Sequence, residues 1–135
     1  MRRVDVFFYG LFMDQAILRE HGIAPRELRP ARVRGVELRI GKRATLVASH
    51  AGHVHGMLAA LSHAELDRLY ADPSLSDYRP DAVIAEVAGG AKVPALCYNL
   101  VEPPSVEDHN PDYAARLRAL AQRLGFPADY VAAIR

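Results

Sequence analysis

Carboxylates and a tyrosine collect in the segment 66–80, where they could exchange protons with a substrate. Asp67, Asp72, Asp77 and Tyr78 lie around the end of a predicted helix. A carboxyl group buried in a cleft has a raised pKa and can act as a general acid–base. Asp67 falls on the solvent side of the helix, whereas Asp72 and Asp77 border the loop. Asp is also favoured in such loops because its side chain bonds to turn amides, and taken singly each carboxylate is better interpreted in that structural role.

A second candidate is the run Tyr9-Gly10-Leu11-Phe12-Met13, where a predicted strand passes into a predicted helix. Glycine adopts backbone conformations closed to other residues and lets a ligand come close to the chain. Backbone amides at a helix start favour anions such as a carboxylate. The run is therefore a candidate substrate-binding loop, although local sequence alone favours a strand-to-helix turn without a ligand.

Three histidines, His50, His53 and His55, resemble half of a metal site, since the last two share one face of a strand. No cysteine lies near them, and any carboxylate ligand must come from a distant segment. We interpret them as histidines on the exposed face of a hairpin and predict neither a metal nor a cofactor. A histidine-dependent metal protein remains the alternative.

Other signatures of catalysis are missing from the sequence. No serine stands in a Gly-x-Ser-x-Gly context, which argues against a serine hydrolase. Cys97 lies in the middle of a predicted strand, which is typical of an inert core residue. Gly89-Gly90 lacks the spacing of a phosphate-binding loop and sits between two strands.

Length and charge narrow the class of partner. A chain of 135 residues suits one domain, residues 1–135. Its 17 basic and 16 acidic residues argue against nucleic acid or a membrane surface as partner. A single cysteine and the lack of an apolar run of ~18 residues predict a cytoplasmic protein. We expect a small-molecule partner, and a homodimer is left open.

The hydrophobic pattern predicts an α+β domain with a mostly antiparallel, strongly curved sheet and peripheral helices. The buried set is expected to include Val6, Phe8, Leu38, Leu58 and Val87. Strands are predicted at residues 4–9, 35–41, 43–48, 53–61, 82–87 and 93–100, with 23–32 as a loop and Gly52 in the turn before the fourth strand. Helices are predicted after the caps Asp14, Ser62 and Asn110 and after Pro127.

Together these pieces resemble the gamma-glutamylcyclotransferase-like superfamily over most of the chain. Tyr9-Gly10 is similar to the family's Tyr-Gly-Ser or Tyr-Gly-Thr, and Val54-His55-Gly56-Met57-Leu58 resembles its Val-x-Gly-x-Leu. Tyr78-Arg79 and Cys97-Tyr98-Asn99-Leu100 follow at fitting distances. The order of the predicted elements agrees with the family as well.

The resemblance implies a small curved β-barrel with a cavity at one end. It implies that amides of residues 10–13 hold the α-carboxylate of a glutamyl substrate, with Tyr9, Tyr78 and Tyr98 in the same site. In the family, the glutamyl amine attacks the γ-amide carbonyl and releases 5-oxoproline and a free amine. One glutamate transfers the protons, and holding both ends of one molecule together supplies effective concentration.

This sequence departs from the family pattern at functional positions. Leu11 stands where the family has Ser or Thr, and Pro73 aligns with the catalytic glutamate, with Tyr70 on the preceding Asp. Asp72 or Asp77 could replace the glutamate only if the loop re-aims one of them. The sequence therefore predicts a cyclotransferase-like protein that lacks the usual glutamate. The alternative is a non-catalytic protein of the same fold that binds an amino-acid-like carboxylate.

Overall fold

The computed structural model describes residues 2–135, so Met1 of the expected domain lies outside it. Five strands close into a barrel in the order β1-β3-β2-β4-β5. Neighbouring strands are antiparallel except β1 and β5, which are parallel at Val6 and Leu96. The strands are β1 (Arg3–Phe8), β2 (Arg26–Ile40), β3 (Ala44–Ser62), β4 (Tyr78–Val87) and β5 (Lys92–Leu100). This arrangement confirms an α+β fold with a curved, mostly antiparallel sheet.

In the described chain, two helices lie between strands of the barrel and two follow its last strand. They are α1 (Gln15–Glu20), α2 (His63–Leu69), α3 (Pro111–Arg123) and α4 (Ala128–Ala133), with 3-10 turns at Leu11–Met13 and Pro73–Leu75. The predicted caps are confirmed: the side chains of Asp14, Ser62 and Asn110 each accept a hydrogen bond from a first-turn amide. Glu65 completes a capping box by accepting from the Ser62 amide at 2.9 Å.

The prediction of a loop at 23–32 is wrong for most of that range, because β2 begins at Arg26. Pro30 made the segment look irregular, yet it pairs with Met57 of β3. β4 joins β2 only from Ala31 to Val33. Pro30 therefore lies where β2 has a single neighbour, a position where a missing N–H costs no ladder hydrogen bond.

The two strands predicted at 43–48 and 53–61 are a single strand, β3. Gly52 does not make a turn between them. The register with β2 shifts between Arg34 and Val36, so that residues 49–52 bulge opposite Gly35, whose φ is 84°. Glycine inside a strand marks a bulge as readily as a turn, and the sequence pattern alone does not separate the two.

The core fills the barrel and the space under the helices. Val6, Phe8 and Leu58 are fully buried as predicted, whereas Leu38 and Val87 are only partly buried. Leu38 lies in the part of β2 beyond Val33, which has no pairing with β4 among the described residues, and Val87 is the last residue of β4, paired with Ala31. Both side chains therefore pack at the margin of the core rather than inside it.

Candidate functional site

A cavity of about 290 Å³ opens at the end of the barrel where β1 passes into the first 3-10 turn. The end of α2, the start of β4 and the first turns of α3 complete its wall. Its lining is mainly aromatic, with three phenylalanines, five tyrosines and two arginines. The tyrosines are Tyr9, Tyr70, Tyr78, Tyr98 and Tyr113, and the arginines are Arg43 and Arg116.

The loop after β1 contributes four of its five predicted binding residues to this wall. Tyr9, Gly10, Leu11 and Phe12 line the cavity, whereas Met13 does not line it and is buried in the core. The Tyr9 hydroxyl donates to the carbonyl of Tyr98 at 2.7 Å and so fastens the end of β1 to β5. This bond fixes the loop at the cavity mouth.

Tyr113 of α3 lies directly on this loop. Its hydroxyl oxygen accepts a hydrogen bond from the Leu11 amide at 3.4 Å. A Cβ atom built on Gly10 would be 2.6 Å from the same oxygen. The group that comes close to the chain at Gly10 is therefore the phenol of Tyr113.

Tyr70 and Tyr98 form a stacked pair in the wall, with ring centroids 4.0 Å apart and an interplanar angle of 14°. The hydroxyls of Tyr9 and Tyr78 both donate to backbone carbonyls. No such partner is found for the Tyr70 or Tyr98 hydroxyl within residues 2–135. These two phenols therefore keep hydrogen-bonding capacity for a ligand.

Burial keeps the phenols of the cavity protonated. Desolvation raises the pKa of Tyr9 and Tyr70 well above 10 and that of Tyr78 to about 12, with smaller increases from neighbouring titratable groups. The pKa values of Tyr98 and Tyr113 are also raised, first by burial. At neutral pH all five are neutral O–H donors and none can serve as a base.

Arg43 connects the cavity to the segment after α2. Its guanidinium donates to the Ser74 carbonyl at 2.6 Å and to a carboxylate oxygen of Asp77 at 2.8 Å. Leu75, between these two partners, lines the cavity. The interaction therefore holds one apolar part of the wall in place.

The two catalytic candidates lie outside the cavity wall. Asp72 is exposed, and its side chain caps the second 3-10 turn by accepting from the Ser74 amide at 2.9 Å. This hydrogen bond lowers the pKa of Asp72. The Asp77 side chain is 61% exposed, and its hydrogen bond with Arg43 lowers the pKa of that carboxyl. A general acid–base needs the opposite environment, one that raises the pKa.

Other groups that could transfer a proton do not line the wall either. Among the described residues, no Asp, Glu or His side chain lines the cavity. Cys97 is fully buried beneath it, and desolvation raises the pKa of its thiol to about 12. The wall therefore offers donors for hydrogen bonds and no group suited to accept a proton at neutral pH.

The histidines lie elsewhere on the barrel. The rings of His53 and His55 are 5.2 Å apart, and His55 packs against Phe126 and Tyr130 beside α4. Desolvation lowers the pKa of His55, with His53 and Arg32 adding to the effect. Across residues 2–135 no group of three or more potential metal ligands comes together. Nor does any helix in that range have the length and apolar character needed to cross a membrane.

Sequence reasoning missed several members of the wall. Tyr113, Arg43 and Arg116 belong to none of the motifs singled out in the sequence. Tyr70 was noted only as a departure from a family pattern. The one signal available for Tyr113 and Arg116 is their spacing of three residues, which places both on one face of the helix.

Most of the chain matches a known protein family. A family model described as "Gamma-glutamyl cyclotransferase, AIG2-like" matches residues 6–116. The chain belongs to this family. No match is found among curated proteins.

Solved structures share the fold at low sequence identity. One titled "Gamma-glutamyl cyclotransferase" is 18% identical, with a TM-score of 0.83 and coverage of 99% of this chain and 89% of that chain. YkqA from Bacillus subtilis is 20% identical, with a TM-score of 0.79 and coverage of 98% and 52%. The uncharacterized protein loc79017 from Homo sapiens is 19% identical, with a TM-score of 0.78 and coverage of 100% and 89%. These likenesses establish the barrel fold alone.

Proposed function

We propose that this protein binds a small molecule carrying a carboxylate, of the amino-acid or γ-glutamyl type, in the cavity at the end of the barrel. The observation that carries the proposal is the chemistry of the wall, which has five phenols and two guanidinium groups and, within residues 2–135, no carboxylate. Neutral phenols and guanidinium groups donate hydrogen bonds and suit anionic oxygen atoms. A carboxylate therefore meets hydrogen-bond donors in the wall, one of which, the Arg43 guanidinium, is already paired with the exposed carboxylate of Asp77.

Membership of the family supports the same ligand class. The family resemblance implies a glutamyl carboxylate at the loop after β1, and that loop forms one side of the cavity. Apolar side chains such as Phe8, Ile17 and Leu75 surround the polar groups. A few polar groups in a largely apolar concavity are typical of small-molecule sites.

The same wall argues against cyclotransferase activity. Release of 5-oxoproline requires a group that takes a proton from the ammonium and returns it to the leaving nitrogen. Asp72 and Asp77 are exposed, have lowered pKa values and do not line the cavity. Without a positioned acid–base the rate should fall by on the order of 10²–10⁴. We therefore favour binding without turnover, and family membership makes slow cyclisation the second candidate.

Calorimetric titration with glutamate and with 5-oxoproline tests the binding proposal. Arg116→Gln should weaken binding of both ligands because it removes a cation from the wall. Arg123→Gln is the matched control, since it removes the same charge from the same helix where the side chain is 68% exposed. Equal affinities for the two variants, or no binding by the parent protein at millimolar ligand, would overturn the proposed site.

Formation of 5-oxoproline from γ-glutamyl dipeptides tests the second candidate. We expect no turnover by the parent, and Asp72→Asn should bind ligand as the parent does, whereas Asp77→Asn removes the carboxylate partner of Arg43 and is compared for turnover alone. Turnover that disappears in one of these variants would assign catalysis to that carboxylate. Turnover that survives in both would place the acid–base elsewhere in the chain.

A further inference from the structure

The Leu11 amide at the cavity is already covered by a side chain. The Tyr113 hydroxyl accepts its hydrogen bond at 3.4 Å and lies so close to Gly10 that a Cβ there would be 2.6 Å away. All three residues line the cavity. A ligand oxygen can reach the Leu11 amide only by displacing the phenol.

Displacing that phenol is unfavourable because α3 holds Tyr113 in place. The residue is in the first turn of α3, and its own amide donates to the capping side chain of Asn110 at 3.2 Å. Its ring is partly buried and packs against the core. Moving it would expose apolar surface at the mouth of the cavity.

Because the Tyr113 hydroxyl accepts from the Leu11 amide, its own proton remains available to donate to a ligand. A hydroxyl that accepts one hydrogen bond still has an O–H to donate. Within residues 2–135 no protein acceptor for the Tyr113 proton is found, and burial raises the pKa of the group so that the proton is retained. A hydrogen bond accepted from an amide also polarises the O–H and strengthens its donation.

We infer that Tyr113 is a ligand-contacting and specificity-determining residue, whose O–H donates to the ligand carboxylate in place of the Leu11 amide. The inference rests on the proposed function, because it concerns the same cavity and the same ligand class. The hydrogen-bonded chain runs from the Leu11 amide through the Tyr113 hydroxyl to the carboxylate. Such a donor favours an anionic oxygen over the neutral oxygen of a carboxamide.

The test compares 5-oxoproline with its carboxamide on the parent protein, Tyr113→Phe and Tyr130→Phe. The Tyr113→Phe variant should lose about tenfold in affinity for the carboxylate, as expected for a hydrogen bond to a charged group. It should lose much less for the carboxamide. Tyr130→Phe is the control, since the Tyr130 hydroxyl donates to the backbone carbonyl of His55 at 3.4 Å and Tyr130 does not line the cavity. This variant should leave both affinities unchanged.

The remaining outcomes separate the two proposals. If Tyr113→Phe binds the carboxylate as tightly as the parent, or more tightly, the ligand uses the Leu11 amide and only this inference fails. If neither the parent nor Tyr113→Phe binds, the proposed function fails and the inference fails with it. Thermal unfolding of each variant shows whether it is folded, and the Leu11 amide resonance reports whether the bond to Tyr113 has been lost.

Discussion

At Gly10, the hydroxyl of Tyr113 occupies the space that a side chain would need. The backbone there has a φ of −112°, which other residues also adopt. Conformation therefore does not require glycine at this position. The requirement comes from the approach of Tyr113, whose hydroxyl lies where a Cβ would be.

Gly10→Ala should weaken ligand binding while leaving the stability of the fold nearly unchanged. The Cβ would meet only the hydroxyl end of Tyr113, so a small shift of that end relieves the contact while the ring stays packed against the core. We therefore expect the free energy of unfolding to change by less than about 1 kcal/mol. Affinity for the carboxylate should fall because the hydroxyl is displaced. Chemical denaturation and calorimetry measure the two effects separately.

The double variant, Gly10→Ala with Tyr113→Phe, is the control for this prediction. In Tyr113→Phe the ring carbon nearest to the added Cβ is 4.0 Å away, so the substitution at Gly10 meets no clash. Gly10→Ala should then cause no further loss of affinity. A further loss in that background would show that the methyl group blocks the ligand directly.

The part of the site that sequence could predict is the part that local chain order determines. Tyr9 to Phe12, Tyr78 and Tyr98 were assigned to the site from motifs, and all of them line the cavity. Tyr113 and Arg43 could not be assigned, because their roles depend on how α3 and the β2–β3 turn dock at the barrel end. That docking is a tertiary property which no short motif records.

At the scale of elements, Gly56 marks the closest approach of two strands. A Cβ on Gly56 would overlap the backbone carbonyl of Phe8 and lie 2.6 Å from the ring of Phe7. Both belong to β1, which pairs with β3 beside the loop of the cavity. The middle glycine of Val54-His55-Gly56-Met57-Leu58 therefore determines how closely β1 lies on β3.

Gly56→Ala should destabilise the fold strongly, in contrast to Gly10→Ala. Backbone and a fully buried ring cannot yield as the end of Tyr113 can, so we expect a loss of about 3 kcal/mol. Urea denaturation of the two alanine variants side by side measures the difference. Equal stabilities would contradict the close approach of β1 and β3.

Glu65 connects the start of α2 to two other segments. Its carboxylate accepts hydrogen bonds from the Ser62 amide and, at 3.3 Å, from the Ala24 amide, and it pairs with Arg3 at 3.0 Å. The bond from Ser62 is the largest cause of a lowered pKa, with Ala24 and Arg3 adding to it. The charged form is therefore the one that the fold stabilises.

Glu65→Gln should cost about 1 kcal/mol of stability at neutral pH. A carboxyl with a lowered pKa in the folded state stabilises the protein above its ordinary pKa of 4.5 and loses that contribution as the pH falls. The difference between parent and variant should thus shrink below pH 4.5. Thermal unfolding across this range measures it, and a difference that grows in acid would contradict the assignment.

Local chemistry explains which elements were predictable. The helix caps and the Gly89-Gly90 hairpin, with φ values of 89° and 87°, depend on neighbouring residues and agree with the structure. The start of β2 and the continuity of β3 depend instead on pairing between distant segments. That pairing overrides the local turn preference of Pro30 and Gly52. Such pairing has no local signature.

At the scale of the molecule, closure of the barrel creates the site. β1 is the first strand and β5 the last, and their parallel contact at Val6 and Leu96 closes the sheet. The Tyr9–Tyr98 hydrogen bond lies just beyond that contact. The cavity thus forms where the two ends of the sheet meet, capped by α3.

We propose that this cavity binds a carboxylate ligand and lacks the acid–base needed to cyclise it. One NMR experiment tests both parts: ¹⁵N-labelled protein is incubated with a γ-glutamyl dipeptide while protein amide and ligand signals are recorded over time. We expect saturable chemical-shift changes of the Gly10, Leu11 and Phe12 amides. The dipeptide should not be converted over time. Growth of 5-oxoproline signals, or amides that do not respond at millimolar dipeptide, would contradict the claim.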